Sequence, residues 1–349
     1  MPIMNKSKIR PDVLKIMEAF LKIRPQIIDA FYKKEGTKKF DFQSLWQKVM
    51  EGNERCFKGE DVRGYLSEEE QLFLAKFHRF ATESGANYLQ KKFPIPKSVK
   101  LQPIASGGVP AEWQTVPSAI EEQVLLYFHG GGFIMGSVND HRLFTVTLAY
   151  ATNMRVLSVD YRLAPEYPYP ASLEDSITVY KWLLSMNVKP ENIIIGGDSA
   201  GGNLTLSTLV KLRDDRLPLP AGAFCLSPVI ELGQSSESFF KNSETDPFLA
   251  DIGLFWWHEA YSKGADPQNP LISPLYADLK GLPPILVQVS TTEIFYDHST
   301  RFVERAKAAG VDATLQTWDD MMHVFQAFGL PESREAINKI SKFVKKLFN

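Results

Sequence analysis

The sequence predicts an α/β protein with a mostly parallel eight-stranded sheet, helices on both faces and a helical cap. From about residue 96, short runs rich in β-branched residues alternate with helical patterns, which is typical of parallel strands joined by crossover helices. Before that point the spacing of apolar residues predicts amphipathic helices, whose apolar faces pack against another part of the protein. The predicted strands are 99–104, 111–115, 123–128, 155–159, 192–195, 223–226, 285–289 and 314–317.

Residues 1–95 are predicted to form an N-terminal helical cap region. Val13, Ile16 and Met17 fall at the three- and four-residue spacing of one helix face. Ser67 is followed three residues later by Glu70, which has the form of a capping box and predicts a helix start. The remaining residues, 96–349, would then form the sheet domain.

A long stretch between the sixth and seventh predicted strands interrupts the alternation. It contains an aromatic cluster made of Phe255, Trp256, Trp257 and Tyr261. Such an excursion from the strand tips usually covers a pocket, so we expect a second cap element at about 230–275. The aromatic side chains either contact a ligand or pack against the N-terminal helices, and the sequence leaves both interpretations open.

Composition excludes several classes of protein. The 349 residues carry a formal net charge of −2, with Lys and Arg scattered along the chain, which argues against a nucleic-acid partner and favours a small neutral molecule. Cys56 and Cys225 are too few for a disulfide framework and are interpreted as buried thiols. Lys6, Lys8 and Arg10 precede a segment broken by charges, so we expect no signal peptide and a cytoplasmic location. No apolar run is long enough to span a bilayer.

The segment 192–202 reads NIIIGGDSAGG and carries the first chemical signal. An apolar run leads into Ser199 between small residues, and a helical pattern begins near Leu204. Small neighbours allow a sharp turn from strand to helix that exposes the serine hydroxyl. The pattern alone is weak, but the strand before it and the helix after it strengthen it. Ser199 is therefore a predicted nucleophile.

A second signal, HGGGF at 129–133, follows the strand 123–128 directly. Attack of a serine on an ester builds negative charge on the carbonyl oxygen, and backbone N–H groups held at that point stabilise it. Three glycines let the backbone come close, and the N–H of Ala200 would complete an oxyanion hole. A phosphate-binding glycine turn is the alternative, but no Lys-Ser/Thr follows and no G-x-G-x-x-G pattern opens a helix.

A general base is found by elimination among the histidines. In this layout the catalytic residues follow the order serine, acid, histidine, so the base must come after Ser199. His258 falls in the predicted cap element, and His298 lies beside the acid candidates. His323 follows the strand 314–317 and an acidic turn, on the loop where this architecture delivers its imidazole. His323 is the predicted general base.

Three motifs together resemble one family. HGGGF, YRLAPEYPYPA at 161–171 and GDSAGG resemble the hormone-sensitive-lipase-like branch of the α/β hydrolases, bacterial carboxylesterases with an N-terminal helical cap. Shorter matches are GVPAEW, DPFL, SPLYADLKGLPP and MMHVFQ. The resemblance implies the α/β-hydrolase fold, a catalytic domain over 96–349, and no metal or organic cofactor. It also implies the backbone N–H groups of Gly131, Gly132 and Ala200 as oxyanion donors.

Two carboxylates compete for the role of the acid. After the strand 285–289, most members of that family place an Asp-Pro-Leu run whose aspartate orients the histidine, whereas this chain reads STTEIFYDH. Counted from the strand end, Glu293 takes the acid position and Asp297 a later one, and a subset of the family carries glutamate there. Asp297 is alternatively a helix-start residue. The register favours Glu293.

These observations predict a serine carboxylesterase that hydrolyses small esters with short to medium acyl chains, or lactones, through an acyl-enzyme. An amidase or peptidase would share the same chemistry. Members of the family without the base act as small-molecule receptors, but His323 and the intact GDSAGG favour an enzyme. The physiological substrate and the oligomeric state, including a homodimer, stay open.

Overall fold

All eight predicted strands are present in the computed structural model of the chain, which describes residues 9–35, 40–233, 235–246, 248–249 and 253–348. Lys6 and Lys8 lie outside the described residues, as do parts of the predicted cap regions and Pro247 of the DPFL motif. The strands are β1 (Lys100–Ser106), β2 (Val109–Thr115), β3 (Ile120–Phe128), β4 (Met154–Val159), β5 (Ile193–Asp198), β6 (Gly222–Leu226), β7 (Ile285–Ser290) and β8 (Ala313–Trp318).

The strands form one sheet in the order β1-β2-β4-β3-β5-β6-β7-β8. β2 is antiparallel to β1 and β4, and every other pairing is parallel, which confirms the predicted mostly parallel sheet. Parallel neighbours end at the same edge of a sheet. The loops that follow β3, β5, β6, β7 and β8 therefore meet there, where ligands bind in open α/β sheets.

Helices lie on both faces of the sheet and in the regions before β1 and after β6. They are α1 (Pro11–Glu35), α2 (Phe42–Phe57), α3 (Glu68–Lys92), α4 (Val138–Thr152), α5 (Ala171–Ser185), α6 (Ala200–Asp214), α7 (Glu237–Lys241), α8 (Leu254–Ser262), α9 (Tyr296–Ala308) and α10 (Pro331–Phe348). α4 and α10 pack with one face of the sheet, and α5, α6 and α9 with the other. No described helix has an apolar stretch long enough to cross a membrane.

Alternation along β3 shows how the sequence builds two core layers. Leu126 and Phe128 join the layer under α5 and α6, whereas Leu125 and Tyr127 join the layer under α4 and α10. All four side chains are fully buried. Successive strand residues point to opposite faces, so a sheet covered on both sides needs apolar residues at every position.

The predicted capping box at the start of α3 is confirmed. The Ser67 hydroxyl accepts from the N–H of Glu70, and the Glu70 carboxylate accepts from the N–H of Ser67 at 2.8 Å. α8, which follows β6, packs against α2 and α3. Its Phe255 ring meets Tyr65 edge-on. The aromatic cluster thus packs on the N-terminal region, while the domain division near residue 95 stays a prediction.

Candidate active site

Ser199 lies at a sharp turn between β5 and α6. Its backbone has φ 52° and ψ −116°, a left-handed conformation that costs a residue with a side chain on the order of 1–3 kcal/mol. The turn is held because its N–H donates to the carbonyl of Leu226 at 2.8 Å and its carbonyl accepts from Val229 at 3.2 Å. A Cβ atom at Gly201 would overlap the carbonyl oxygen of Phe128, so glycine lets α6 start beside β3. The helix begins earlier than the sequence predicted.

The glycine loop 129–133 follows β3 and faces this turn. Gly131 has φ 118° and Gly132 has φ 61°, which are conformations that favour glycine. Within the described part of the chain, no hydrogen bond uses the N–H of Gly131, Gly132 or Ala200. The role of these three N–H groups as oxyanion donors stays a prediction.

Asp198, which directly precedes the serine, holds the glycine loop in place. Its Oδ1 accepts from the N–H of Gly130 at 3.0 Å and from the Tyr127 hydroxyl at 2.6 Å. Its Oδ2 lies 3.4 Å from Nε2 of His141. Burial raises the pKa of Asp198, but His141 and the Tyr127 hydroxyl outweigh it and bring the pKa below its ordinary value. Asp198 is not among the predicted site residues, although its place directly before the serine was an available signal.

Tyr161 and His129 support the same loop. The Tyr161 hydroxyl donates to the carbonyl of His129 at 2.6 Å, and the two rings stack with centroids 4.3 Å apart. Nδ1 of His129 donates to the carbonyl of Gly130 at 2.7 Å. Burial lowers the pKa of His129 to about 3, so the imidazole is neutral at neutral pH. Tyr161 opens the YRLAPEYPYPA motif, and this contact gives that motif a structural purpose.

Glu293 and His323 form a buried pair at the same edge of the sheet. Oε2 of Glu293 lies 2.6 Å from Nδ1 of His323. Oε1 accepts from the Ser227 hydroxyl at 2.7 Å and from the N–H of Ser290 at 2.8 Å. Because a carboxylate only accepts, Nδ1 carries the proton in the neutral ring and Nε2 is the proton acceptor. That Nε2 is buried and has no partner among the described residues.

Asp297 lies apart from this pair. It is in the first turn of α9, where its carboxylate accepts from the N–H of Ser238 at 2.7 Å. This is the helix-start position that the sequence offered as the alternative role for Asp297. Of the two competing carboxylates, the structure brings Glu293 onto His323 and leaves Asp297 elsewhere.

Ser227 connects the parts of the site and was missed by sequence reasoning. It follows β6 directly, next to Leu226, whose carbonyl binds the N–H of Ser199. Its hydroxyl donates to Glu293 and accepts from the N–H of Val324 at 3.2 Å. One hydroxyl thus contacts both the acid and the residue after the base. Its place at the end of a buried strand was the only sequence signal.

Aromatic side chains cover the site on two sides. Trp257 packs on the glycine loop so closely that a Cβ atom at Gly132 would overlap its ring. The Phe248 ring lies 6.4 Å from the imidazole of His323. Ser199 is 8% exposed and His323 is 4% exposed, so both side chains are almost fully covered. The aromatic stretch packs on the N-terminal helices and Trp257 also borders the glycine loop, while contact with a ligand stays a prediction.

No metal centre accompanies this arrangement in the described part of the chain, where no three His, Cys, Asp or Glu side chains converge on a common point.

Comparison with known proteins places the chain in a family. Residues 125–327 match the profile of a family with the alpha/beta hydrolase fold. An esterase of Acinetobacter venetianus is 38% identical over 262 residues, which cover 74% of this chain and 86% of that protein. An acetyl-hydrolase of Streptomyces hygroscopicus is 36% identical over 244 residues, which cover 69% of this chain and 81% of that protein.

Solved structures agree with the sequence relatives. An esterase from the bacterial hormone-sensitive lipase family superposes with a TM-score of 0.75 at 40% identity, covering 89% of this chain and 100% of that one. A hormone-sensitive lipase from a metagenome library gives a TM-score of 0.72 at 38% identity, covering 80% and 99%. The chain belongs to the α/β-hydrolase superfamily, in the hormone-sensitive-lipase-like branch of carboxylesterases.

Proposed function

We propose that this carboxylic ester hydrolase is a serine esterase that cleaves small esters through an acyl-enzyme. Ser199 is the nucleophile, His323 the general base and Glu293 the acid that orients the base. The observation that carries the proposal is the 2.6 Å contact between Glu293 and Nδ1 of His323, which leaves Nε2 as the proton acceptor at the sheet edge that also presents Ser199.

Acylation follows from these positions. Nε2 of His323 takes the proton of the Ser199 hydroxyl while Oγ bonds to the ester carbonyl carbon, and the carbonyl electron pair moves onto its oxygen. Glu293 stabilises the imidazolium that forms. The N–H groups of Gly131, Gly132 and Ala200 donate to the new oxyanion. The imidazolium then gives its proton to the departing alkoxide, so the alcohol leaves and acyl-Ser199 remains.

Deacylation repeats the same steps with water. His323 removes a proton from the water as its oxygen bonds to the acyl carbon, and the loop stabilises the second oxyanion. Collapse returns that proton to Oγ of Ser199 and releases the carboxylic acid. A lactone would follow the same route, with alcohol and acid in one product.

The aromatic cover supports short to medium acyl chains. Trp257 lies against Gly132 and Phe248 lies near His323, so bulky side chains flank both the glycine loop and the base. We expect butyrate and hexanoate esters to be hydrolysed faster than emulsified long-chain triglyceride. Trp257→Ala should shift the optimum to longer chains. Faster triglyceride cleavage by the unaltered enzyme contradicts this part of the proposal.

The proposed cellular location is inferred from the two cysteines. Two buried thiols, Cys56 and Cys225, suit a reducing cytoplasmic compartment. The partner is a small-molecule ester.

One assay separates this function from its alternatives. Release of p-nitrophenol from p-nitrophenyl butyrate is compared with release of p-nitroaniline from the matching anilide, at equal enzyme concentration. A serine esterase turns over the ester much faster than the anilide. Preferred cleavage of the anilide indicates an amidase, and saturable binding without turnover of either compound indicates a receptor. Each of these two results contradicts the proposal.

A further inference from the structure

Two polar side chains between β6 and α8 bind the backbone of the turn that carries Glu293. Nδ2 of Asn242 donates to the carbonyls of Thr291 at 3.0 Å and of Glu293 at 2.8 Å. Oδ2 of Asp246 accepts from the N–H of Ile294 at 3.0 Å. These bonds hold the turn on both sides of the acid. We call Asn242 and Asp246 the acid clamp.

The other oxygen of Asp246 holds a different segment. Oδ1 accepts from the N–H groups of Phe248 and Leu249, both at 2.9 Å. Phe248 is the residue whose ring lies near the imidazole of His323. A single carboxylate therefore ties the turn of the acid to the segment that covers the base. Asp246 has no exposed surface, so water does not replace a bond that is lost there.

The Asp246 carboxylate interacts electrostatically with Glu293 and His323. Burial, and after it the nearby Glu293 carboxylate, raise the pKa of Asp246 to about 6. The titratable groups that act on it are Glu293, on the turn after β7, and His323, on the loop after β8. Three N–H donors compensate the ionised form at neutral pH. As the pH falls below about 6, a proton occupies one oxygen, which then no longer accepts from all its donors.

We propose that Asn242 and Asp246 are positioning residues for the esterase reaction: they fix the Glu293 turn, and with it the contact between Glu293 and His323, without touching the reacting atoms. This inference rests on the proposed function and adds the region after β6 to the machinery. It also gives a role to the first residue of the DPFL motif, which the triad and the oxyanion hole leave unused.

The test compares Asp246→Asn and Asn242→Ala with a matched control. Asp266→Asn makes the same chemical change in an exposed turn, where Oδ1 accepts from the N–H of Gln268 at 2.9 Å. With p-nitrophenyl butyrate, each clamp variant should lose kcat by about 10- to 100-fold, the scale of losing buried hydrogen bonds to a charged or positioned group. KM should stay within about twofold in Asn242→Ala, because Asn242 binds the Glu293 turn and not the Phe248 segment that borders the site. Asp266→Asn should match the unaltered enzyme.

A pH profile distinguishes positioning from general support of the fold. The amide that Asp246→Asn introduces is neutral at every pH and so resembles protonated aspartic acid. The ratio of kcat between the unaltered enzyme and Asp246→Asn should therefore shrink as pH falls through about 6. The same ratio for Asn242→Ala should not depend on pH, since no charge changes. A purely structural role would lower thermal stability without a pH-dependent ratio.

The results distinguish a failure of the acid clamp from a failure of the proposed function. Unaltered kcat in both clamp variants, or a pH-independent ratio for a folded Asp246→Asn, overturns the clamp. If circular dichroism shows that Asp246→Asn does not fold, Asn242→Ala decides alone, and unaltered kcat in it overturns the clamp. Ser199→Ala is run in the same assay. Retained turnover in that variant refutes the proposed function instead, so the two failures are distinguishable.

Discussion

The site has a nucleophile half, made of Ser199 and the glycine loop, and an acid–base half, made of Glu293 and His323. The two halves are held in place by different kinds of contact. Ser199 and the glycine loop are joined by residues of the two sequence motifs themselves, since Asp198 of GDSAGG accepts from the N–H of Gly130 of HGGGF across 68 positions. Glu293 accepts from the hydroxyl of Ser227, which lies 66 positions earlier and in none of the motifs. Both halves form only when separate segments fold together, but the first joins residues within recognised motifs, whereas the second depends on a residue that no motif contains.

The N-terminal helix α1 adds to the acid–base half. Val13 is fully buried in one hydrophobic cluster with Met322, which precedes the proposed base. Arg10 donates to the Glu332 carboxylate at 2.6 Å, next to the start of α10. The first helix of the chain thus packs on the loop that carries His323.

The largest expected effect is in the nucleophile half. Ser199→Ala removes the only group proposed to attack, so kcat should fall on the order of 10⁶-fold, and binding with the oxyanion hole should account for the residual rate. Ser185→Ala, at an exposed serine, is the control. Initial rates with p-nitrophenyl butyrate and circular dichroism of both variants provide the check. Comparable rates for the two variants contradict the assignment.

The next effect tests the acid–base half. Glu293→Gln should lower kcat by about 10⁴-fold, because an amide does not stabilise the imidazolium and favours the wrong tautomer. Asp297→Asn should have a small effect, since Asp297 binds the backbone of Ser238. Both variants are measured side by side with one soluble ester. If Asp297→Asn loses kcat and Glu293→Gln retains it, Asp297 is the acid.

A third prediction distinguishes backbone strain from loss of the oxyanion donor in the glycine loop. A side chain at Gly131, with φ 118°, would overlap the carbonyl of Met135, so Gly131→Val should displace the oxyanion donor and lower kcat by about 10²-fold or more. Gly108→Val imposes similar strain at φ 96° in open space. Both variants should lose thermal stability, and only the first should lose turnover. Equal turnover numbers remove the loop from the mechanism.

Ser227→Ala should have a moderate effect. It removes one hydrogen bond to the buried Glu293 carboxylate and leaves the bond from Ser290, so kcat should fall about tenfold. Steady-state kinetics with an unchanged KM would place the loss in the chemical step. An unaltered kcat would show that the carboxylate is oriented without this link.

The smallest effect should come from the ion pair between Arg10 and Glu332. The ion pair of Arg10 with Glu332 is partly exposed, and such pairs contribute about 0–1 kcal/mol. Arg10→Ala should therefore change kcat by less than about fivefold. A loss larger than that of Ser227→Ala would mean that α1 controls the base loop more strongly than the direct hydrogen bonds do.

The same comparison explains what the sequence could predict. The strands, the turn at Ser199 and the glycine loop follow from periodicity and contiguous motifs. The choice of Glu293 over Asp297 followed from a count along one turn, and the structure brings that carboxylate to the imidazole. The bond from Asp246 to Ile294 spans 48 positions and depends on how two loops pack, which no local pattern encodes.

The central claim is that Ser199 forms a covalent intermediate, and one labelling measurement tests it directly. A p-nitrophenyl alkylphosphonate should release p-nitrophenol as its phosphorus bonds to the Ser199 oxygen, at a stoichiometry of one per chain. Mass spectrometry of the digested protein should locate the phosphonyl group on the peptide that contains GDSAGG, with activity lost in proportion. Full inactivation with the label on another residue, or with no label, would contradict the account.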